Sequence, residues 1–362
     1  MRVALVHDYL NQYGGAERVL EAFCQIFPEA PIYTLFYDRK KTGLVFDSRK
    51  IHASFLQKIP FLKNHHRSFL MLMPFAIEQF DLSQYDLVLS DSASYAKGVL
   101  TPPGTKHICY CHTPIRYAWD DAQKYIDEFG YPSLVKKFIP FFMNYIRLWD
   151  GQAAGRVGKF IANSKFVAGR IKKYYHREAA VVYPPIRTDL FSVSDYPPED
   201  YFLMVGRFLP YKMFDMAIDA FNRLGLPLKI VGDGPEKKRL QKKAKDNIEF
   251  VGLVSDQKLK EYYSRCRAFI FPQEDDFGIV AVEAMASGRP VIAFRGGGAL
   301  EYVQPNRTGI FFDQQTSESL AEAVSNFKSG NFDPLIIRAE AMKFDQENFK
   351  NKIKEIIDDY RN

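Results

Sequence analysis

Short apolar runs and amphipathic stretches alternate along the whole chain. Each apolar run has the length of a buried strand, and turn residues separate it from a stretch with helical spacing of apolar positions. The predicted strands of the first half lie at residues 3–6, 85–90, 107–111, 160–163 and 180–183, and those of the second half at 201–205, 228–231, 248–251, 268–271 and 291–294. This alternation predicts an α/β chain with two doubly wound parallel sheets.

One stretch of the second half, PQEDDFGIVAVEAMASGRP, differs from an ordinary buried helix. The carboxylates Asp275 and Asp276 come shortly before Gly278, and Glu283 follows inside an otherwise apolar run. The first N–H groups of a helix lack intrahelical partners and attract anions. Carboxylates beside such a site need partners of their own, and sugar or ribose hydroxyls would serve. The alternative, a charge that favours the helix dipole, is sufficient for Asp276 alone.

Two cations lie around the turn after the strand at 201–205. Arg207 and Lys212 stand at either end of this turn, which leads into a helix with an apolar face. Two cations beside a helix start can clamp a diphosphate, and a guanidinium can bind it with two hydrogen bonds at once. The pair therefore predicts a diphosphate site.

Two loops of the first half carry further candidates. Gly14 and Gly15 lie between a strand and a helix, where they let the backbone approach a phosphate closely. Their spacing is not GxGxxG, which argues against a dehydrogenase. His112, Arg116 and Asp120 follow the strand at 107–111. Because ligands of open parallel sheets bind beyond the carboxyl ends of strands, we expect these three residues in a site.

Length and composition predict a folded chain of two domains. The 362 residues exceed one ordinary core, and 47% hydrophobic with 25% charged residues is typical of a soluble protein. The prolines at 184 and 185 break the strand at 180–183. We therefore predict domains at 1–187 and 188–340, followed by a charged amphipathic helix within 341–362.

Several classes of protein are not expected. No apolar run reaches the roughly 18–20 residues that cross a bilayer, and the start MRVALVHDYL turns acidic too early for a signal peptide. The four cysteines include no second pair that would complete a zinc site, and we expect them to be reduced and cytosolic. No Asp-x-Asp metal motif is present, so we expect neither a metal nor a cofactor.

Positive charge is concentrated in the first half. Residues 1–187 carry 25 Lys and Arg against 16 Asp and Glu, whereas residues 188–362 carry 24 against 27. Residues 48–77 hold no acid and interleave basic with large apolar residues, as residues 136–142 do again. Such stretches are typical of a surface that lies on an anionic membrane. The alternative is a core helix with a solvated basic face. Nucleic acid is not expected, because no known motif for it is present.

The acids and cations of the second half resemble those of the retaining glycosyltransferases of family 4. Asp275 and Glu283 match the acid-x7-acid signature, although its first acid is usually Glu. Glu274 in a shifted register is the alternative first acid. Arg207 and Lys212 match the family's Gly-Arg…Lys element, and Met213 replaces the Gly that usually follows the Lys.

The loop at 112–120 resembles the His-Thr-Pro-x-Arg-Tyr-x-Trp-Asp box of a subgroup that builds bacterial surface polysaccharides, commonly with mannose. The resemblance covers nearly the whole chain. It implies the GT-B fold, in which two Rossmann-like domains face an interdomain cleft and the C-terminal helix, here within 341–362, returns to the first domain.

The resemblance also implies roles for individual residues. Arg207 and Lys212 would stabilise the diphosphate, and Glu283 would hold the ribose. Asp275 would hold sugar hydroxyls, and His112 would lie near the anomeric centre. The other donor-binding residues implied are Gly14, Gly15, Val254, Phe277, Gly278, Ile279 and Val280, and those implied on the acceptor side are Tyr13, Glu17, Arg116 and Asp120.

The function implied is metal-independent transfer of a hexose with retention, foremost mannose from GDP-mannose. The acceptor would be a polyprenyl-diphosphate-linked glycan at the inner face of the cell membrane, for O-antigen, capsule or exopolysaccharide synthesis. A UDP-hexose is the alternative donor. An epimerase of this fold would need acid and base groups flanking the sugar, which these motifs do not suggest. A non-catalytic nucleotide-sugar-binding subunit stays open.

Overall fold

A computed structural model of the chain describes residues 1–59, 66–120 and 133–361. The chain divides into two compact units. Unit 1 comprises Met1–Tyr183 together with Lys350–Asn362, and unit 2 comprises Pro184–Phe349. The division at 183/184 falls at the pair of prolines, four residues before the predicted boundary.

Unit 1 is built on a parallel sheet of seven strands in the order β3-β2-β1-β4-β5-β6-β7. Its elements are β1 Val3–His7, α1 Gly15–Ile26, β2 Ile32–Thr34, β3 Ile51–Ala53, α2 Met73–Glu78, β4 Leu87–Ser92, β5 Lys106–Cys111, α3 Arg116–Trp119, α4 Ser133–Arg156, β6 Lys159–Ala162, α5 Lys165–Tyr175 and β7 Ala179–Val181. Short 3₁₀ helices lie at Phe55–Lys58, His66–Leu72 and Ala96–Gly98.

Unit 2 is built on a parallel sheet of six strands in the order β10-β9-β8-β11-β12-β13. Its elements are β8 Phe202–Val205, α6 Phe214–Leu224, β9 Leu228–Val231, α7 Lys237–Lys243, β10 Ile248–Gly252, α8 Asp256–Arg265, β11 Phe269–Phe271, α9 Ile279–Ala286, β12 Val291–Phe294, β13 Gly309–Phe312, α10 Ser317–Asn326 and α11 Pro334–Ala341. Helix α12, Gln346–Arg361, begins in unit 2 and ends in unit 1.

The predicted pair of doubly wound sheets is confirmed. Nearly continuous apolar strands such as β1 and β9 are buried on both faces, as parallel sheets require. The side chain of Ser164 accepts a hydrogen bond from the N–H of Val167 and caps α5. The pattern misses β2, β3 and β13, because Thr34 and His52 interrupt the first two and β13 begins with Gly309, so that none of them stands out as an apolar run of strand length.

Among its described residues, unit 1 exposes large apolar side chains in both of the basic, apolar stretches found in the sequence, 48–77 and 136–142. The stretch 48–77 is divided between core and surface: Leu56 and Met73 are buried, whereas Phe55 and Phe75 are exposed and contact each other. Residues 60–65 of that stretch lie outside the described residues. Along α4 the exposed apolar side chains recur every three or four residues and form one face, here called the α4 stripe: Phe138, Phe141, Phe142, Tyr145 and Leu148.

The α4 stripe lies opposite a buried face of the same helix. Ile139, Met143 and Ile146 are at most 6% exposed. Helix α4 therefore differs from an ordinary amphipathic surface helix, because it carries apolar residues on its exposed face as well as on its buried face. Among the described helices of the chain, none has the length and apolar character needed to cross a membrane.

Candidate functional site

Unit 2 brings the predicted cations and acids together at one edge of its sheet. The strand order reverses between the neighbours β8 and β11, and ligands of open α/β sheets bind at the carboxyl ends of such a pair. The loop after β8 carries Arg207 and Lys212, and the loop after β11 carries Asp275. The Lys212 ammonium and the Asp275 carboxylate form an ion pair, with side chains 17% and 18% exposed.

A glycine loop fixes the backbone of this acidic segment. The N–H of Gly298 donates to the carbonyl oxygen of Asp275 over 2.9 Å. A Cβ at Gly298 would overlap the backbone of Phe277, so only glycine allows the two loops to approach this closely. This backbone contact holds Asp275 beside Lys212, and the Asp275 side chain adds a hydrogen bond that its Oδ1 accepts from the N–H of Asp276 over 3.1 Å.

Glu274, the alternative first acid, points elsewhere. Its residue is exposed, and its carboxylate lies over Gly296, where an added Cβ would come within 2.8 Å of Oε2. Lys212 pairs with Asp275 instead. The geometry therefore favours Asp275 over Glu274 as the first acid of the signature.

The start of α9 is built from backbone rather than side chains. Gly278 precedes the helix in the left-handed region at φ +95°, and a Cβ there would overlap the ring of Phe271. The ring of Phe277 is buried and packs on Tyr302 and Phe344, with centroids 5.4 Å away in both cases. Any contact of Phe277 or Gly278 with a nucleotide sugar would therefore be made by their backbone atoms. Ile279 and Val280 are half-buried on the first turn.

Glu283 is the least exposed acid of the signature. It is 1% exposed on the inner turn of α9, and its Oε2 accepts a hydrogen bond from the Tyr263 hydroxyl over 2.9 Å. A buried carboxylate needs such a donor. The hydrogen bond fixes the rotamer of Glu283, and its contact with a ribose stays a prediction.

Arg207 and Val254 lie at the same edge of the sheet of unit 2. Arg207 is exposed directly after β8, and Val254 is half-buried between β10 and α8. Met213, the residue after Lys212, has a left-handed φ of +55° and forms the N-cap of α6. The backbone thus takes at Met213 the conformation that a glycine would take without strain.

Unit 1 also gathers polar side chains at the carboxyl edge of its sheet. Asp91, on β4, accepts a hydrogen bond from His7 Nδ1 on β1 over 2.8 Å and from His112 Nε2, just after β5, over 2.6 Å. On the other side of His7, Nε2 lies 3.7 Å from Oε1 of Glu17. The four residues form one continuous chain, here called the His–Asp chain, and only His112 is partly exposed, at 13%.

Burial and charge act against each other in the His–Asp chain. Burial alone would lower the pKa of His7, but its hydrogen bond to Asp91 and the nearby carboxylate of Glu17 raise that pKa to about 10. Burial would raise the pKa of Asp91, and the two imidazoles beside it lower it overall. An ionic chain of this kind is stable in a core because each charge has a hydrogen-bonded partner. In the described ranges, no group of three or more His, Cys, Asp and Glu side chains could hold a metal ion.

Glu17 proves to be an internal residue rather than a loop-surface group. It is 2% exposed, and its Oε2 accepts the N–H of Gly14 over 2.8 Å. The same carboxylate faces His7. Glu17 therefore holds the glycine loop onto the core, which corrects its expected place on the acceptor side. Tyr13 donates to Glu21, and Gly15 is exposed as the first residue of α1.

The loop after β5 is also held in place by an acid, Asp120. The carboxylate of Asp120 pairs with Arg170 and accepts from the hydroxyl of Tyr174, both on α5. Asp120 therefore holds the loop against α5, and its expected contact with an acceptor stays a prediction. Arg116 begins α3 half-buried, 4 residues after His112. Its acceptor role stays a prediction.

The sequence interpretation misses His7 and Asp91. Each comes directly after a predicted strand, 3–6 or 85–90, where a polar residue is easily taken for the start of a turn. Their positions in the sheet could have identified them, because His7 ends β1 and its register partner on the neighbouring strand β4 is Asp91. Polar residues at the carboxyl ends of adjacent parallel strands converge on one site.

Two family profiles match the chain. Residues 13–190 match the profile described as Glycosyltransferase Family 4, and residues 186–347 match the one described as Glycosyl transferases group 1. The two matches overlap at residues 186–190, shortly after the division between the units, and together leave only the two ends of the chain unmatched.

Curated relatives match over shorter segments. O-antigen chain mannosyltransferase C of Escherichia coli is 29% identical over 135 residues, which are 35% of this chain and 36% of that protein. A GDP-mannose-dependent alpha-(1-6)-phosphatidylinositol monomannoside mannosyltransferase of Mycobacterium tuberculosis is 33% identical over 139 residues, which are 33% of this chain and 36% of that protein. The chain thus spans about a third of the length of these curated relatives.

Solved structures match over the full length. The crystal structure of the Anabaena protein HepE in complex with UDP has a TM-score of 0.74, covers 99% of this chain and 100% of its own, and is 19% identical. At that identity the likeness establishes the fold alone, which is GT-B.

Proposed function

The chain belongs to glycosyltransferase family 4, and on that premise we propose that it is a retaining hexosyltransferase acting on a lipid-linked glycan. The observation that carries the proposal is the ion pair of Lys212 with Asp275 at the point where the strand order of unit 2 reverses. A cation and a carboxylate held together there suit the two halves of a nucleotide sugar, the diphosphate and the sugar hydroxyls.

In this proposal the leaving diphosphate is stabilised by protein cations. Lys212 is 17% exposed, so its charge acts in a partly dehydrated environment where electrostatic interactions are stronger than in water. Arg207, exposed on the same loop, would supply the second cation. Asp275 keeps Lys212 ordered before the donor arrives and then holds hydroxyls of the sugar. The reaction proposed needs no metal and no cofactor.

GDP-mannose is the donor we propose first. The Escherichia coli relative is named as a mannosyltransferase, and the Mycobacterium relative as GDP-mannose-dependent. A UDP-hexose comes second, since the HepE structure contains UDP. We place the nucleotide base over the loop between β10 and α8, where Val254 is a half-buried and Leu253 an exposed apolar side chain, because both suit stacking of either base.

The acceptor we propose is a polyprenyl-diphosphate-linked glycan, reached from the inner face of a membrane. The α4 stripe supports this, because Phe141 and Leu148 are 71% and 64% exposed and water disfavours such side chains. Phe75, 57% exposed, adds a second apolar site on unit 1. With the net positive charge of the first half, unit 1 has the chemistry of a surface that binds anionic lipid.

The experiment that tests the function is donor turnover. The protein is incubated with GDP-mannose or UDP-glucose, with and without a bacterial lipid extract. Two quantities are measured: the rate at which nucleoside diphosphate is released, and the anomeric configuration of the transferred sugar in the product. We expect release with one donor, faster with lipid, and an α-linked product from the α-linked donor. Inverted product would contradict retention.

The same experiment separates an enzyme from a nucleotide-sugar-binding subunit. A subunit of that kind would bind donor but release no nucleotide under any of these conditions. The ordered Lys212–Asp275 pair favours the enzyme, because binding alone would not need an acid positioned beside the diphosphate cation.

A further inference from the structure

The His–Asp chain ends at a single partly exposed ring. Asp91 is fully buried, His7 is 3% exposed and Glu17 2%, so the three could not contact a ligand themselves. Each is connected to His112 only through the hydrogen bonds that Asp91 accepts. Any effect of the His–Asp chain on function must therefore act through His112.

We propose that His7 and Asp91 are positioning residues that hold His112 Nε2 as an N–H donor, so that Nδ1 is presented as a hydrogen-bond acceptor to a hydroxyl of the transferred sugar. The identity of that hydroxyl rests on the proposed function. The orientation of His112 itself does not, because it follows from contacts within unit 1.

The proton positions follow from the chemistry of the partners. An ionised carboxylate can only accept hydrogen bonds, so each ring nitrogen that faces Asp91 carries a proton. For His112 this nitrogen is Nε2. In the neutral imidazole the other nitrogen, Nδ1, then has a lone pair, and within the described part of the chain it makes no hydrogen bond. A sugar hydroxyl is a donor that would complete it.

His7 keeps the buried carboxylate in its ionised form. Held between Asp91 and Glu17, His7 has a pKa raised to about 10 despite its burial and stays a cation at neutral pH. A carboxylate buried without a cation would tend to take up a proton and become a donor. A protonated Asp91 could donate to Nε2 and so reverse the tautomer of His112. Replacing His7 would therefore make the tautomer of His112 less well defined, although His7 does not contact His112 directly.

A purely structural role is the alternative, and the sheet contains a matched control for it. His107 Nε2 and Ser90 Oγ form another buried hydrogen bond of 2.8 Å between the same strands, β4 and β5. This pair joins the strands but has no connection to His112. His107→Gln should therefore change stability without changing the state of the His112 ring.

The first test uses proton NMR on protein with isotope-labelled histidine and needs no substrate. We expect a slowly exchanging, low-field N–H signal from His112 Nε2, identified by its loss in His112→Gln. The signal should be lost in Asp91→Asn, weakened in His7→Gln and retained in His107→Gln. A signal that persists in Asp91→Asn, or that is missing from the wild type, would overturn the proposal.

The second test measures turnover of GDP-mannose and UDP-glucose. We expect Asp91→Asn to lower kcat about 10- to 100-fold with KM for the donor unchanged, and His7→Gln to have a smaller effect in the same direction. A loss of melting temperature with unchanged kcat would show a structural role and overturn the proposal. If the wild type turns over neither donor, the proposed function fails, while the NMR result still decides whether Asp91 and His7 position His112.

Discussion

Lys212 and Asp275 lie 63 positions apart in the sequence and form an ion pair where the loops after β8 and β11 meet. The pair is largely buried, so it is ordered more strongly than a surface ion pair would be. Contacts within the chain itself therefore hold the cation and the acid of this site next to each other. This preorganisation is what a diphosphate-leaving reaction requires, because no reorganisation is needed as charge develops.

Removing the acid of this pair should impair turnover more than lengthening it. We expect Asp275→Ala to lower nucleotide release about 10- to 100-fold, since a charge-assisted hydrogen bond contributes roughly 1.5–3 kcal/mol. Asp275→Glu keeps the charge and should lose less. Glu274→Ala is the matched control, because Glu274 is exposed and lies over Gly296. Turnover lost in Glu274→Ala but kept in Asp275→Ala would instead support the shifted register.

Met213 offers a test of backbone strain in the same loop. Its φ of +55° costs a residue with a side chain roughly 1–2 kcal/mol, while glycine adds about 0.5–1 kcal/mol of chain entropy to the unfolded state. We therefore expect Met213→Gly to stabilise the fold by about 0.5–1 kcal/mol in denaturant unfolding. Asn306→Gly, at φ +60°, should gain less because Asn tolerates this region. Marked destabilisation by Met213→Gly would show that its side-chain packing outweighs the strain.

The fold could be predicted from the sequence because its strands are apolar on both faces and its helices are amphipathic. The cation and acid loops of unit 2 could also be placed, since loops after adjacent parallel strands converge. Partners distant in sequence could not be predicted. From the sequence, Glu17 and Asp120 resemble acids of solvent-exposed loops. The structure shows that Glu17 lies beside His7 and that Asp120 pairs with Arg170. His7 and Asp91 could not be identified, because a polar residue directly after an apolar run is easily taken for the start of a turn.

His107 should make unit 1 sensitive to mild acid. Burial lowers its pKa to about 4, so the unfolded chain, in which its pKa is near 6.5, binds more protons between those values. The contribution of neutral His107 to the free energy of unfolding is thus fully present above pH 6.5. As the pH falls toward 4, about 3 kcal/mol of that free energy is lost. In His107→Gln, unfolding free energy should fall less steeply than in the wild type over this window. Parallel curves would contradict the assignment.

The α4 stripe should determine binding to anionic lipid. We expect the double variant Phe141→Ser and Leu148→Ser to bind vesicles of phosphatidylglycerol and phosphatidylcholine at least about 10-fold more weakly, because each apolar side chain contributes roughly 1.5–3 kcal/mol when buried. Leu335→Ser, in unit 2, is the matched control, since Leu335 is 69% exposed. Equal vesicle binding by the double variant and the wild type would remove the α4 stripe from the membrane proposal.

The central claim is that the edge of unit 2 binds the diphosphate of a nucleotide sugar through Lys212. Its most direct test is a thermal-shift titration of the wild type and Lys212→Gln with GDP, UDP and ADP, with Lys237→Gln as the control, because Lys237 pairs with Asp233 outside this ion pair. At about 100 times its Kd a nucleotide should stabilise the wild type by about 2.7 kcal/mol. We predict a rise in melting temperature that is largest with GDP, is retained in Lys237→Gln and is mostly lost in Lys212→Gln. An equal rise in Lys212→Gln, or no rise with any nucleotide in the wild type, would contradict the claim.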